Sequence, residues 1–304
     1  MKLNGCLPVL AIPFLPDERI DTSGLAKVVE VNIASGVNAV TCFGLAGELF
    51  KLDDADRSLV LETVMDTVQD RVPVIVGCEH SGSLAAARRC RQAAGMGAAA
   101  VMLLPPSFTV PQRSSIRDYF LRCAEAANIP VIVQDAPAWT GIQLPVDLLL
   151  EMNAENPLIS AVKLEDPPIS EKAVSLRNAG IAVISGYGAV HFGEDYMLGS
   201  IDAFMPGCAF PEVMVHAWRL AVTRDTLALK EFYARMLPLL VAELTDLDTF
   251  IEVQKRALVK RGLFTSATMR EPHRSIPKSR IAYIDELIDE VLKMGMELNN
   301  HVRV

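Results

Sequence analysis

The sequence predicts an α/β fold, a closed (β/α)8 TIM barrel with a C-terminal helical appendage. Eight short apolar stretches of strand length recur along the chain, and an amphipathic segment of helix length follows each of them. Eight strand–helix units are the number that closes such a barrel. An open, doubly wound sheet is the alternative, but the first strand–helix junction lacks the Gly-x-Gly-x-x-Gly phosphate loop of that fold.

The predicted strands are short runs of apolar and β-branched residues, and they occupy residues 7–14, 38–43, 73–77, 99–104, 130–134, 158–163, 181–186 and 201–205. The predicted helices carry apolar residues at helical spacing, and they occupy residues 21–34, 55–70, 83–95, 115–127, 146–153, 170–178, 190–198 and 211–223. Asp21 or Ser23 is the expected cap of the first helix, because either side chain can accept a hydrogen bond from a free backbone amide.

The strand–helix alternation ends near residue 225. Three helical stretches follow, at residues 226–241, 247–262 and 276–297. Apolar residues in the first of them, such as Leu229 and Met236, recur at helical spacing, which indicates a face that packs on the barrel. We therefore predict a catalytic barrel domain over residues 1–225 and a helical domain packed on it over residues 226–304.

The composition argues against two classes of partner. The 304 residues are 51% hydrophobic and carry a net charge of −8, with a pI near 5.2, so no basic surface for nucleic acid is expected. No apolar run reaches the roughly 18 residues that cross a bilayer, and the N-terminus lacks the apolar segment of a signal peptide. We expect a cytoplasmic protein that binds neither nucleic acid nor membrane.

Six cysteines and five histidines are spread along the chain. The cysteines form no Cys-x-x-Cys pair, and neither residue type shows the spacing of metal ligands. His80 follows a predicted strand beside Glu79, but one such pair is weak evidence for a metal site. The cysteines are predicted to be reduced and mostly buried, and no metal ion is expected.

Lys163 ends the strand predicted at residues 158–163, after the run Leu-Ile-Ser-Ala-Val. An ammonium group in a largely apolar pocket is poorly solvated, which lowers its pKa and frees the amine to attack a carbonyl and form a Schiff base. The alternative is a lysine that extends from the end of a core strand into water and carries no chemistry.

The active site of a (β/α)8 barrel lies at the carboxyl ends of its strands. The strand predictions therefore define a short set of candidate positions, at Pro13 and Phe14 and at residues 44–48, 78–80, 105–108, 134–139, 163–166, 186–188 and 206–208. Phe204, in the last predicted strand, is a further candidate for contact with substrate.

Three of these strand ends, taken in order, carry the motifs of a known family. Gly44-Leu45-Ala46-Gly47-Glu48 matches a G-x-x-G-E loop, Asp-Ala-Pro-Ala-Trp-Thr-Gly at residues 135–141 matches an N-x-P-x-x-T-G turn, and Lys163 falls where the Schiff-base lysine lies. The chain resembles, over nearly its whole length, the dihydrodipicolinate synthase and N-acetylneuraminate lyase family of class I aldolases.

The resemblance implies a role for each matching position. Lys163 forms the Schiff base, and the backbone amides of the loop formed by Gly44, Leu45, Ala46 and Gly47 hold the carboxylate of a 2-keto acid such as pyruvate. Glu48 braces that loop. The resemblance also implies a homo-oligomer, a tetramer.

The sequence departs from the family pattern at several site positions. Leu45 and Ala46 stand where the family has hydroxyl residues, so the carboxylate keeps only backbone donors. Phe108 replaces a tyrosine. Gln134 replaces the tyrosine that normally shuttles a proton, and an amide does not titrate near neutral pH. Trp139 stands where dihydrodipicolinate synthase has an arginine that grips its second substrate, which counts against that enzyme itself.

Another group must then move protons in the predicted site. Tyr187 is the first choice, because it directly follows strand seven and its phenol can donate and accept a proton. The alternative is that Tyr187 packs in its loop with the hydroxyl in water. Glu165 lies two residues past Lys163 on the same strand face, where it relays a proton or forms only a salt bridge. The remaining candidates are Asp135, Glu79, His80 and Glu48.

These observations predict a Schiff-base-forming lyase, an aldolase or dehydratase, for a 2-keto acid such as pyruvate or a 2-keto-3-deoxy sugar acid. Lys163, Tyr187 and Gln134 are the predicted catalytic residues, and Gln134 orients the substrate. Substrate contacts are predicted for Gly44, Leu45, Ala46, Gly47, Glu48, Phe108, Trp139 and Phe204. No cofactor is expected, because the protonated imine itself withdraws electrons. The alternatives are a keto-acid binding or regulatory protein without turnover, or a divergent dihydrodipicolinate synthase.

Overall fold

The structure, a computed structural model, describes residues 3–109 and 111–301, with side chains described up to residue 298. In this described part of the chain, eight strands form one sheet: β1 Gly5–Cys6, β2 Val40–Cys42, β3 Val74–Gly77, β4 Ala100–Leu103, β5 Val131–Asp135, β6 Ile159–Leu164, β7 Ala182–Ser185 and β8 Ala203–Phe204. The strand order in the sheet is β1-β8-β7-β6-β5-β4-β3-β2, so β2 to β8 each lie beside their neighbours in sequence and β1 lies beside β8. An isolated parallel bridge from Val9 to Thr41 links the segment after β1 to β2. This is the topology of a (β/α)8 barrel, and the predicted fold class is confirmed.

Twelve helices lie within the described residues, between the strands and after them: α1 Thr22–Ala34, α2 Asp54–Val68, α3 Ser83–Gly95, α4 Arg113–Ala127, α5 Pro137–Thr140, α6 Val146–Glu155, α7 Ser170–Asn178, α8 Phe192–Met197, α9 Pro211–Val222, α10 Thr226–Glu243, α11 Leu247–Lys260 and α12 Lys278–His301. Short 3-10 helices lie at Leu45–Gly47, Leu49–Lys51 and Tyr187–Ala189. Asp21 caps α1 by accepting a hydrogen bond from the amide of Gly24 at 2.9 Å, while Ser23 lies inside the helix.

The first predicted strand, at residues 7–14, is wrong in position and in length. Regular pairing is limited to Gly5–Cys6, and beyond it Val9 makes single parallel bridges to Thr41 and Gly207. Proline is the physical reason, because Pro8 and Pro13 have no amide hydrogen to give to a neighbouring strand. The carbonyl of Pro8 still accepts a hydrogen bond from the Thr41 amide at 2.8 Å, so the segment stays extended without forming a regular strand.

Helix α5 was not predicted from the sequence, since its four residues are too few to show a helical period. Pro137 occupies its first turn, where a missing amide hydrogen costs nothing. Gly141 ends it with a φ of +69°, a conformation that a glycine adopts without strain. The helix therefore follows from local chemistry at two residues.

The described chain divides into two compact units. One comprises the residues up to Gly5 and Pro73–Met205, which contain β3 to β8 and α3 to α8. The other comprises Cys6–Val72 and the residues from Pro206 onward. Within the second unit, α10 and α12 both contact α9, and α11 contacts the 3-10 helix Leu45–Gly47. The predicted domain boundary at residue 225 stays a prediction.

All six cysteines lie in the described part of the chain, and each is a buried free thiol, as predicted. Among the described residues, no group of three or more histidine, cysteine, aspartate or glutamate side chains is arranged to hold a metal ion. The described helices include none with the length and apolar character needed to cross a bilayer.

Candidate active site

Lys163 lies on β6 and is 4% exposed. The residues that precede it on the strand, from Ile159 to Val162, are mostly buried, which carries the lysine into the interior. Its register partners are Gln134 on β5 and Ile184 on β7, so a glutamine and an isoleucine flank it across the sheet. The structure thus brings two of the predicted catalytic residues, Lys163 and Gln134, side by side.

Glu165 connects these two residues. Its Oε1 atom lies 2.6 Å from Nζ of Lys163, and its Oε2 atom accepts a hydrogen bond from Nε2 of Gln134 at 3.3 Å. All three side chains are buried, so bulk water screens their interaction weakly. A carboxylate in this position can accept a proton from the lysine and return it. The signal in the sequence was the spacing of Lys163 and Glu165. Two residues that lie two positions apart in an extended segment point to the same face.

Gly186, directly after β7, lies against this pair. A Cβ atom at this position would lie 2.5 Å from Cγ of Glu165 and 2.9 Å from Cε of Lys163. Both distances are too short for any real side chain. The absence of a side chain at Gly186 is therefore a condition for the contact between Lys163 and Glu165.

Asp135, a candidate proton carrier, is engaged elsewhere. Its Oδ1 atom accepts a hydrogen bond from the Leu144 amide at 3.1 Å, and its Oδ2 atom pairs with the ammonium of Lys172. Burial raises the pKa of the Asp135 carboxyl, and the nearby Lys172 partly offsets that rise. These contacts tie the end of β5 to the segment before α6 and to α7.

Tyr187 begins a 3-10 helix with a φ of +51°. Its ring stacks on the ring of His191 with 6.3 Å between centroids. The structure records no hydrogen bond from Tyr187 to Lys163, Glu165 or Gln134, all of which it describes. The proton-shuttling role of Tyr187 stays a prediction. The stacking on His191 is a packing contact within the loop, which agrees with the alternative that Tyr187 has a structural role.

The loop formed by Gly44–Glu48 lies in the second unit and contains the 3-10 helix Leu45–Gly47. The amides of Gly47 and Glu48 donate to the carbonyls of Gly44 and Leu45, at 2.9 and 3.1 Å. The amides of Leu45 and Ala46, in the first turn, take no part in these bonds. Two backbone donors are thus free of the turn's own hydrogen bonding.

Both glycines of this loop are required by close packing. A Cβ atom at Gly44 would lie 2.4 Å from Cγ1 of Val9, and one at Gly47 would lie 2.9 Å from the backbone oxygen of Leu10. The loop therefore rests directly on the segment at Val9 and Leu10.

Glu48 is fully buried and has a φ of +51°. Its Oε1 atom pairs with the ammonium of Lys255, and its Oε2 atom accepts hydrogen bonds from Nζ of Lys51 at 3.0 Å and from the amide of Arg270 at 3.1 Å. Glu48 thus joins its loop to α11 and to the segment before α12. The sequence reasoning missed Lys255 and Arg270. A lysine between Ile251 and Leu258, in the apolar stripe of α11, was the available signal.

The aromatic candidates occupy different environments. Phe108 is 89% exposed, Trp139 lies half-buried on α5, and Phe204 is fully buried with its ring stacked on Phe192 at 4.2 Å. Their contacts with substrate stay predictions. His80 accepts a hydrogen bond at Nδ1 from the Gly82 amide at 2.9 Å, which gives it a place in a local turn.

Comparison with known proteins places this geometry in a family. The family model described as the dihydrodipicolinate synthetase family matches residues 2–290. A 4-hydroxy-tetrahydrodipicolinate synthase from Acidobacterium capsulatum is 28% identical over 249 residues, which cover 81% of this chain and 82% of that protein. An L-2-keto-3-deoxyarabonate dehydratase from Azospirillum brasilense is 29% identical over 280 residues, 88% of each chain. The crystal structure of a dihydrodipicolinate synthase from Rhodopseudomonas palustris has a TM-score of 0.88 and 26% identity, and covers 95% of this chain and 98% of that chain.

The barrel fold and the relatives among synthases and dehydratases place the chain in the class of lyases. The chain belongs to the dihydrodipicolinate synthetase family, because the family model covers nearly the whole sequence. The predicted family, fold and enzyme class are therefore confirmed.

Proposed function

We propose that this protein forms a Schiff base between Lys163 and a 2-keto acid, and that it acts on pyruvate or a 2-keto-3-deoxy sugar acid as an aldolase or dehydratase. The observation that carries the proposal is the buried contact of 2.6 Å between Lys163 and Glu165, with Gln134 bonded to the same carboxylate. A lysine beside a buried proton acceptor is equipped to become a neutral nucleophile. Membership of the lyase family supports the same conclusion.

The reaction begins with transfer of a proton from the Lys163 ammonium to Glu165. The neutral amine attacks the C2 carbonyl of the keto acid, and a proton shifts from nitrogen to oxygen to give the neutral carbinolamine. Glu165 then returns its proton to the departing hydroxyl, which leaves as water and yields the protonated imine. The imine withdraws electrons from the adjacent carbon, so that a C–C bond breaks or forms there, or a hydroxyl group leaves from the sugar-acid chain. Hydrolysis of the imine releases product and frees Lys163 for the next cycle.

Glu165 is the proposed proton carrier in these steps, because it contacts Lys163 directly. Tyr187 remains the second candidate, as predicted from the sequence. Gln134 cannot titrate near neutral pH, and its amide instead holds one oxygen of Glu165 and orients the substrate. The arrangement replaces a tyrosine-based relay with a carboxylate that lies two residues past the nucleophile.

The backbone amides of Leu45 and Ala46 are proposed to bind the carboxylate of the keto acid. Two features of the loop support this role. Neither amide donates to a hydrogen bond of the turn itself, and Glu48, the last residue of the loop, fixes its position by accepting a hydrogen bond from the Arg270 amide. Backbone donors suit an anion that must be held in a fixed orientation. Phe108, Trp139 and Phe204 remain proposed substrate contacts.

We further propose a homotetramer that acts in the cytoplasm. The resemblance to the family supports the tetramer, and the six buried free thiols agree with a reducing compartment. Light scattering at micromolar concentration should give about four times the chain mass of 33.1 kDa. A mass equal to one chain would contradict the tetramer.

Borohydride trapping tests the central proposal. Incubation with pyruvate and borohydride should add one pyruvate-derived mass per chain, and peptide mapping should place it at Lys163. Lys163→Ala should give no adduct, while Lys230→Ala, at an exposed lysine on α10, should be labelled like the wild type. An adduct that persists in Lys163→Ala, or no adduct with any member of a keto-acid panel, would overturn the mechanism. Turnover of that panel then separates an enzyme from a binding protein.

A further inference from the structure

The carboxylate of Glu48 is the meeting point of three elements of the second unit. Lys255 comes from α11, Lys51 from the 3-10 helix Leu49–Lys51, and the Arg270 amide from the segment before α12. Glu48 itself directly follows Leu45–Gly47, and α11 contacts that short helix. The position of the loop is therefore coupled through Glu48 to the C-terminal helices.

Lys255 is an unusual partner because it is fully buried. Besides Glu48, its ammonium donates to the Thr268 carbonyl at 2.8 Å and lies 4.2 Å from the centre of the Phe14 ring. Burial lowers the pKa of Lys255 to about 8, Glu48 opposes that decrease, and the cations Lys51 and Arg270 add to it. A buried ion pair adds little net stability over an apolar pair of equal volume. Its distinctive effect is geometric, because it fixes where Glu48 lies.

Gln254, the residue before Lys255 on α11, holds the segment that follows β8. Gln254 accepts a hydrogen bond from the Ala209 amide at 3.0 Å and donates one to Oε2 of Glu243 at 2.9 Å. A Cβ atom at Gly207 would lie 2.2 Å from Oε1 of Gln254, so this segment packs directly against the side chain. Adjacent residues of one helix thus hold the loop after β2 and the segment after β8.

We propose that Lys255 is a positioning residue for keto-acid binding: through Glu48 it holds the amides of Leu45 and Ala46 in the orientation that receives the substrate carboxylate. The inference rests on the proposed function of that loop. Lys255 touches neither the substrate nor Lys163 in this scheme. Its loss should weaken binding of the keto acid and leave the chemistry at Lys163 nearly unchanged once the site is saturated.

Lys255→Met tests the proposal, since methionine keeps most of the length of the unbranched side chain and removes its charge. The rate of borohydride trapping at Lys163 is measured against pyruvate concentration, alongside thermal unfolding. We expect the half-saturating concentration to rise roughly 10- to 100-fold, the usual effect of removing a group that orients a ligand-binding residue. The trapping rate at saturation should change less than about threefold. Lys260→Met is the matched control, because Lys260 lies on the same helix and pairs with Asp289 at 2.7 Å, away from the loop.

The outcomes separate the two proposals. A wild-type protein that gives no adduct with any keto acid contradicts the Schiff-base function itself. A wild-type adduct together with an unchanged half-saturating concentration in Lys255→Met overturns the positioning role alone. Lower thermal stability with unchanged pyruvate affinity shows a purely structural role and overturns it as well.

A second variant covers the case in which Lys255→Met fails to fold. The double variant Lys255→Met with Glu48→Gln removes both buried charges, and we expect it to fold with the weakened pyruvate affinity of the single variant. If the double variant folds and binds pyruvate like the wild type, the proposal fails.

Discussion

Oε1 of Glu165 lies 2.6 Å from Nζ of Lys163, and only one residue separates the two in the chain. The extended backbone turns both side chains to the same face, and Gly186 leaves room for them. The proposed nucleophile and its proposed proton acceptor thus lie within three consecutive residues, with Gln134 from the neighbouring strand bonded to the same carboxylate.

Glu165→Gln should abolish most turnover, because glutamine keeps the shape of the side chain and cannot accept a proton. We expect kcat to fall by roughly 10²- to 10⁴-fold, the range typical of losing a general acid or base. Steady-state kinetics with the best substrate of the keto-acid panel measures this effect. Glu171→Gln, at an exposed position on α7, is the control and should keep wild-type kcat. Wild-type kcat in Glu165→Gln would remove the proposed role.

Tyr187→Phe compares the two candidate proton carriers. The phenol of Tyr187 forms no recorded hydrogen bond with Lys163, Glu165 or Gln134, and its ring stacks on His191. We therefore expect the loss of kcat to stay below the roughly 10²-fold that marks a general acid or base. The same kinetic assay decides. A larger loss in Tyr187→Phe than in Glu165→Gln would return the proton relay to the tyrosine.

Gly186→Ala should separate Lys163 from Glu165 without changing either residue. The new methyl group would lie 2.5 Å from Cγ of Glu165, so one side chain must move. Overpacking of this kind costs about 1–3 kcal/mol of stability, and we expect imine formation at saturating pyruvate to slow as well. Stopped borohydride trapping and thermal unfolding measure the two effects. Gly95→Ala, where a Cβ atom meets nothing within 4 Å, should leave imine formation unchanged and should not lower the stability, because alanine favours the helix that contains it.

Binding of the keto-acid carboxylate by the loop Gly44–Glu48 should depend on the backbone of the loop and not on its side chains. Leu45→Ala keeps the amide donors, so the affinity for pyruvate should stay within about threefold of wild type. Gly47→Val places a branched side chain where a Cβ atom would lie 2.9 Å from the Leu10 carbonyl, and should weaken binding by displacing the loop. Isothermal titration with pyruvate on a Lys163→Ala background measures affinity without covalent chemistry. Equal losses in both variants would move the carboxylate site elsewhere.

Glu243 should make the protein less stable as the pH rises. Burial raises the pKa of this carboxyl from 4.5 to about 8, and the hydrogen bond from Gln254 partly offsets the rise. Between pH 4.5 and about 8 the Glu243 carboxyl keeps its proton in the folded state and releases it in the unfolded state. The stabilising contribution is therefore complete below pH 4.5 and is lost as the pH rises through about 8.

Glu243→Gln removes this titration and keeps an acceptor for Gln254. At pH 7 its free energy of unfolding should exceed that of the wild type by roughly 3 kcal/mol, whereas near pH 4 the two should agree. Urea unfolding at both pH values measures the difference. Glu231→Gln, at an exposed position on the same helix, should follow the wild type throughout. A pH dependence that survives in Glu243→Gln would assign it to another group.

The sequence alone determined the barrel and the order of its elements, and it made Lys163 the candidate nucleophile. Strand and helix periods are local properties, and eight repeats of one unit leave few ways to pack. An apolar strand that ends near Lys163 placed this lysine at the active-site end of the barrel, and the resemblance to the family, not the strand itself, singled it out as the Schiff-base residue. The extent of the first strand was not predictable, since Pro8 and Pro13 change which residues can pair.

Only the tertiary structure decided which polar groups meet. Glu165 and Tyr187 were both reasonable proton carriers in the sequence, and a side-chain contact of 2.6 Å favours one of them. The link from Glu48 to Lys255 joins residues 207 positions apart. No local pattern encodes such a contact, because it forms when the segments between the two residues have folded and excluded water from both charges.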